Sequence, residues 1–271
     1  LPNNFAAEAT LMGLKKGAHV FCEKPPSKSL NELKPIQEFM RDSDLKLMYG
    51  FNHRFHSSVI KAREIVKEKK LGKVINMKGT YGKSKMISFN QTDWRTDRSK
   101  SGGGILLDQG IHMLDLMNYF GGGFNQVFSI IQNSFWNYDV EDNAFILMQN
   151  DEGLVAQLHS SATQWRHTFN LEMTFEKGSL ILGGLLTSSK SYGEETLRII
   201  FADPDNDKGD PREEIISFDE DISWDEEIKR FTDAIRNSDK IKNGSIAQAI
   251  EIMELIEKIY KADNEWKRKY Y

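Results

Sequence analysis

Ser101 to Leu116, SGGGILLDQGIHMLDL, is the stretch on which the reading of this chain turns. Asp108 and His112 stand four residues apart in it, a spacing that puts both on one face of a helix. Gly102, Gly103 and Gly104 precede an apolar run that ends at Phe120, and Gly121, Gly122 and Gly123 follow it. Glycine at both ends of a 3.6-residue apolar pattern predicts a helix of about four turns. Leu107, Ile111, Leu114 and Met117 make its apolar stripe, with Asp108, His112 and Asp115 on the neighbouring one. Gly110 would cost about 1 kcal/mol against alanine in a helix interior, which points to close approach by another backbone or a ligand. Two readings follow for the pair. Either His112 is a core residue hydrogen-bonded to Asp108, or it is an acid–base histidine oriented by a carboxylate.

Upstream, Phe5 to Lys16 has helical spacing and ends at Gly17, the usual residue past a helix C-terminus. A short apolar run, His19 to Cys22, then closes on Glu23-Lys24-Pro25-Pro26. A second helix over Ser29 to Arg41 and a second strand over Leu45 to Gly50 repeat the pattern, and that strand too ends in polar residues, Asn52, His53 and Arg54. Helix, tight turn and buried strand with polar residues at the strand's C-terminal end is α/β organisation, and ligands bind at such ends.

The charge balance, 36 Lys and Arg against 40 Asp and Glu, gives no basic surface that argues for nucleic acid. Cys22 is the only cysteine, so no intrachain disulfide forms and a reducing compartment fits. No run approaches the ~18 apolar residues of a membrane span. A cytoplasmic protein with no membrane partner is expected.

The order PN, helix, GAHVFCEKP, helix, LMYGFNHRF and then GGGILLDQGIHMLDL resembles the Gfo/Idh/MocA family of NAD(P)-dependent sugar and cyclitol dehydrogenases. The resemblance runs from Pro2 to about Phe120 and more loosely to the C-terminus. It implies an α/β fold followed by α+β: a C-terminal remnant of a Rossmann domain over 1–52, and a substrate and oligomerisation domain over 53–271. That second domain is a large, mostly antiparallel open sheet covered by helices on one face. NAD or NADP is the implied cofactor, with Pro2, Asn3, Glu23, Lys24 and Pro25 on its side of the site. Lys24, Asp108 and His112 are the implied catalytic group, Lys24 being the lysine near nicotinamide and substrate. The family's opening strand, GxGxxG turn and helix have no counterpart here, so the expectation is a truncated chain that alone binds NAD(P) weakly and is inactive.

Downstream, Val59 to Glu68 reads as helix and Val74 to Gly82 as strand. The polar stretch from Met86 to Arg98 is a candidate lid, in which Trp94 and Arg95 would contact a sugar ring and a phosphate or hydroxyl, or simply anchor the loop. Strands are expected over Val127–Gln132, Asn143–Gln149, Leu154–Ser161, His167–Phe175, Ser179–Leu182, Leu197–Phe201 and Glu214–Phe218. The strict alternation from His167 to Phe175 marks one apolar and one polar face. Near the strand edge at Ser160 to Gln164, Trp165 and His167 are candidate sugar contacts; His159 and His167 have no carboxylate or cysteine at ligand spacing, so no metal site is expected. Ser223 and Ser245 each open a capping-box pattern for two closing helices. The function this supports is hydride transfer between nicotinamide and a sugar carbinol or keto group. Asn52, Arg54, Trp94, Arg95, Trp165 and His167 are taken as substrate contacts, and the similarity of LDQGIHMLDLM and LHSSATQWRH to members acting in surface-polysaccharide synthesis suggests a nucleotide-linked sugar. A catalytically inactive sugar-binding or assembly module of the same fold is the alternative. The polar sheet face is the expected homodimer or homotetramer surface.

Overall fold

A computed structural model describes residues 1–85, 93–187, 189–206 and 208–271. Residues 86–92, part of the stretch expected as a lid, lie outside them.

The chain starts with helix α1 (Asn3–Lys15), which ends where Gly17 takes a positive φ of 81°. Spacing identifies this helix but not its buried side. The inward stripe is Asn3, Ala7, Thr10 and Leu14, while Phe5 and Met12 face out. Strand β1 (Val20–Glu23), helix α2 (Lys34–Arg41) and strand β2 (Leu47–Gly50) follow, the two strands pairing in parallel as a β-α-β unit. The helix expected from Ser29 is split, because Leu30–Leu33 is a 3-10 turn ahead of α2. All of β2 is buried, and its outer edge is bonded from the Tyr49 amide to the Gly244 carbonyl at 2.7 Å.

A 3-10 turn, Asn52–Phe55, leads into helix α3 (Ser57–Glu68) and strand β3 (Val74–Gly82). The short helix α4 (Arg98–Ser101) then stops at Gly102, where φ is 83°. The central segment is not one regular helix. Leu106–Gly110 forms a π-helical turn that runs into α5 (Ile111–Gly121). A π turn carries an extra residue inside a helix and occurs often at functional sites. Two close approaches crowd this turn: a Cβ on Gly104 would stand 2.1 Å from the Glu141 carbonyl, and one on Gly110 would stand 2.8 Å from Ser160 Oγ. Gly110 is therefore explained by a neighbouring strand's side chain and not by a backbone or ligand.

Strands β4 (Gln126–Gln132), β5 (Asn143–Gln149), β6 (Val155–Ser161), β7 (Thr168–Phe175), β8 (Gly178–Gly183), β9 (Glu195–Phe201) and β10 (Glu213–Phe218) complete an eight-stranded sheet in the order β10-β9-β8-β7-β3-β6-β5-β4. Only β3 and β6 run parallel; the other neighbours are antiparallel. Helix α6 (Ser223–Arg236) packs on the turn after β2, while α7 (Ile246–Ala262) lies against β4. The capping box at Ser245 forms, with both reciprocal bonds to Gln248. That expected at Ser223 does not: Ile222 is the N-cap, and the Ser223 amide instead bonds Asp221. The closing helix α8 (Asn264–Tyr270) is docked on this chain, with Arg98 held 4.1–5.9 Å from the ring centres of Tyr260, Trp266, Tyr270 and Tyr271.

Helices α3, α5 and α7 cover one face of the sheet. The apolar core on that side runs without a break from Ala7 and Leu14 through Met77, Met113 and Leu171 to Trp266. The other face is open. Asn170, Glu172 and Thr174 line it polar at mid-sheet, as the alternation predicts, but at the β4–β5 end Phe128, Ile130, Phe145 and Leu147 stand exposed.

Candidate active site

Three chain segments meet beside the start of α5. The turn after β1 brings Glu23 and Lys24, the 3-10 turn after β2 brings Asn52 and His53, and α5 brings His112. Together with His56, Trp224, Asp221, Leu186 and Thr187 they line a cleft of about 380 Å³. Of the three residues the family resemblance singles out, Lys24 and His112 line this cleft, and Asp108 stands behind Lys24, in contact with it. Their wiring differs from either reading of the helix.

Among the described residues no hydrogen bond joins Asp108 to His112. The Asp108 carboxylate takes Lys83 Nζ at 2.8 Å, Arg95 Nε at 3.7 Å and Lys24 Nζ at 3.9 Å, and Lys24 also donates to the Asp108 backbone carbonyl. His112 is oriented by packing: its ring stacks on that of His53, with centroids 3.7 Å apart and planes 11° from parallel, and meets Phe51 edge-on. His53 is itself fixed by Asn52 Oδ1 at 3.0 Å and the Tyr81 hydroxyl at 3.0 Å. His112 Nδ1 is buried without a protein partner.

The protonation states follow from these surroundings. Burial, then the nearby Lys24, holds the His112 imidazole well below its ordinary value, so it is neutral and able to accept a proton at neutral pH. Burial, then His112, does the same for His53. Burial lowers the Lys24 ammonium, and Asp108 works in the opposite sense. Burial opposes ionisation of Asp108, but Lys83 and Lys24 outweigh it and keep the carboxyl far below the usual carboxylate range. Glu23 is raised by burial, with Lys24 offsetting part of the effect.

The remaining sequence-derived residues divide. Glu23 and Asn52 line the cleft. Pro2 is the N-cap of α1, and Asn3, nearly buried, donates from Nδ2 to the Ser101 carbonyl at 2.8 Å, tying α1 to the segment before the central helix. Pro25 follows Lys24 through a cis peptide bond and is buried. Arg95 reaches Asp108 and lies 4.4 Å over the Trp94 ring. His167 does not line the cleft and bonds Ser84 Oγ and Ser191 Oγ.

Two residues are elsewhere. Arg54 does not line the cleft, because it is locked in a buried bidentate pair with Asp115 at 2.7 and 2.6 Å. Trp165 is 64% exposed and joins Phe135 and Trp136 in an aromatic cluster beyond the cleft. His159 belongs to the open sheet face, stacked on Phe145.

Sequence reasoning placed His53 at the polar end of β2 without giving it a role, and passed over Lys83, His56 and Glu195. Glu195, fully buried on β9, accepts from His56 Nδ1 at 2.8 Å and the Ser58 amide at 2.9 Å, and so anchors the start of α3 to the sheet. The NHRFH run carried a signal in its two histidines three residues apart. Lys83 carried none, being one lysine in a polar stretch after a strand.

The profile of the GFO/IDH/MocA C-terminal domain matches residues 59–181. Levoglucosan dehydrogenase of Pseudarthrobacter phenanthrenivorans is 29% identical over 131 residues, 48% of this chain and 34% of that protein. D-glucoside 3-dehydrogenase of Escherichia coli is 32% identical over 177 residues, 59% of this chain and 50% of that protein. The matched part therefore spans between a third and a half of these relatives' length. Among solved structures, levoglucosan dehydrogenase in complex with NADH and levoglucosan superposes with a TM-score of 0.85 at 20% identity, over 98% of this chain and 77% of that one. Residues 59–181 thus match the GFO/IDH/MocA C-terminal domain, and the chain is similar in sequence to these dehydrogenases and shares their fold.

Proposed function

We propose that this chain serves an NAD(P)-dependent oxidoreductase that moves hydride between nicotinamide and a sugar carbinol or keto group. The observation that carries the reading is the convergence of Lys24 and a neutral, buried His112 on one cleft. Residues 1–52 are the nicotinamide-side remnant of a Rossmann domain in this proposal, and residues 53–271 the substrate and oligomerisation domain. The relatives' names supply the substrate class, a sugar or glycoside. The finer assignment, a nucleotide-linked sugar used in surface-polysaccharide synthesis in the cytoplasm, rests on the resemblance of the two motifs around Asp108 and Trp165.

The residues present fit the nicotinamide end of the cofactor. Glu23 and Lys24 line the cleft, and Pro25 follows Lys24 directly. Pro2, Asn3, Glu23, Lys24 and Pro25 would hold that end, and the cofactor would supply the hydride acceptor or donor. In the oxidising direction His112 takes the proton from the substrate hydroxyl. The Lys24 ammonium stabilises the oxygen as negative charge develops on it. Asp108 holds Lys24 in position through both its carboxylate and its carbonyl. His53, stacked on His112, keeps that ring from turning. In the whole protein His112→Ala and Lys24→Ala should each lower kcat by ~10² or more, with cofactor affinity largely kept in His112→Ala. Near-normal turnover in either variant would refute the assignment.

A further inference from the structure

Three imidazoles meet at the cleft, and they differ in what they leave free. His53 has both ring nitrogens engaged, by Asn52 Oδ1 and by the Tyr81 hydroxyl. His112 is placed by packing alone. His56 meets His53 edge-on, with ring centres 5.5 Å apart, and lines the cleft although only 1% of its side chain is exposed. This is the imidazole that carboxylates orient. Its Nδ1 lies 2.8 Å from Glu195 Oε2 and 3.9 Å from Asp221 Oδ1. Glu195 also accepts from the Ser58 amide at 2.9 Å and the Leu186 amide at 3.4 Å. Burial opposes ionisation of Glu195, but His56 and Ser58 outweigh it and hold the carboxyl below its ordinary value. An ionised carboxylate has no proton to give, so Nδ1–H is the donor and the tautomer is fixed. Nε2, on the other side of the ring, is left for the cleft, and among the described residues nothing bonds it.

Glu195 would tie α3 to the sheet through the Ser58 amide alone. What the imidazole adds is an acceptor of fixed direction in the cleft wall. A sugar filling the cleft strips water from Nε2, and the acceptor is then left unpaired unless a hydroxyl of the sugar takes the water's place. The reacting hydroxyl is not available for this, because in the proposed function it goes to His112 and Lys24. We propose that His56, held by Glu195, is a specificity-determining residue that accepts a hydrogen bond from a second, non-reacting hydroxyl of the sugar. The assignment rests on the oxidoreductase reading and adds a requirement to it: the substrate carries that hydroxyl free. No bond is made or broken at His56. Glu195 does not touch the sugar and acts as a positioning residue.

Methyl β-D-glucopyranoside and its 2-, 3-, 4- and 6-deoxy forms test this in the whole protein with NAD(P), read as NAD(P)H absorbance. The form that lacks the reacting hydroxyl should be inert. One other should lose at least about tenfold in kcat/KM, because a site built to bond a hydroxyl rejects the analogue without it. In His56→Leu the parent glucoside should fall until it differs from that deoxy form by less than about twofold, with the ratios to the remaining forms kept as in wild type. A loss of folding would lower all the sugars alike and leave every ratio unchanged. Glu195→Gln should lose part of the same discrimination, and His56→Asn, which restores a polar side chain, should recover part of it. Nitrogen NMR of the imidazoles with NAD(P)H bound gives a readout free of turnover: His56 Nε2 should shift when the parent glucoside is added and not when that deoxy form is. Oxidation with discrimination unchanged in His56→Leu, or no shift at Nε2, would overturn the proposal. A glucoside-dependent shift at Nε2 with none of the sugars oxidised would refute the oxidoreductase reading and leave the hydroxyl contact standing.

Discussion

Glu227 on α6 is fully buried, and neither carboxyl oxygen has a hydrogen-bond partner. Burial, with Glu23 and Asp115 adding repulsion, pushes its carboxyl up to about 8 from an ordinary 4.5. An acid whose value is raised by folding penalises the folded state. The penalty is absent below pH 4.5, where both states are protonated, grows as the unfolded chain ionises, and levels off above pH 8, where the folded state ionises too. At about 1.36 kcal/mol per pH unit, it reaches roughly 3 kcal/mol at pH 7 and approaches about 5 kcal/mol by pH 9. Glu227→Gln removes the charge and keeps the shape. Its stability relative to wild type should be nearly unchanged at pH 4 and should rise with pH by several kcal/mol before flattening near pH 8. Urea unfolding of both proteins at each pH unit from 4 to 9 measures this, provided the transitions are two-state. A difference that does not vary with pH would refute the reasoning, since it would mean that Glu227 ionises alike in folded and unfolded chains.

Arg54→Met strands Asp115 in the core, where the pair's side chains are 4% and 2% exposed. Removing one partner of a buried pair should cost about 3–5 kcal/mol, measured by the same unfolding assay; a loss under ~1 kcal/mol would mean that the pair contributes little. The open sheet face, with Phe128, Ile130, Phe145 and Leu147 exposed at one end, is proposed as a homodimer or homotetramer surface. Light scattering should give two or four copies at micromolar concentration, and Phe128→Glu with Leu147→Glu should give monomer; a monomeric wild type would reject the surface. Residues 1–271 carry only nicotinamide-side turns in the proposed function, so NADH fluorescence titration should show weak binding and no dehydrogenase activity. Micromolar affinity would show that the cofactor site has been misplaced.

Sequence alone determined most of the elements and their type, but not the π turn at Leu106–Gly110 or the 3-10 turn ahead of α2. The seven strands read downstream of Gln126 all form, because alternation has a period that only a strand can satisfy and the Asn150–Gly153 and Glu176–Gly178 turns fix where the chain reverses. Spacing set Asp108 beside His112 on one helix face, and only the family resemblance added Lys24 to them. The buried side of α1 was beyond it, since a stripe through Ala7 and Leu14 and one through Phe5 and Met12 have the same spacing and only the neighbours select between them. Partnership was beyond it too. Asp108 and His112 lie four residues apart, yet what each touches was settled by segments 25 to 84 residues away: Lys83 and Lys24 reach the carboxylate, and His53 reaches the imidazole. Arg54, polar and next to the site in sequence, turned inward because Asp115 on a different helix offers it a bidentate partner. Local pattern fixes the period of the backbone and hence which residues share a face; long-range packing alone fixes what faces them, and the charge and proton affinity of each group in the cleft depend on that.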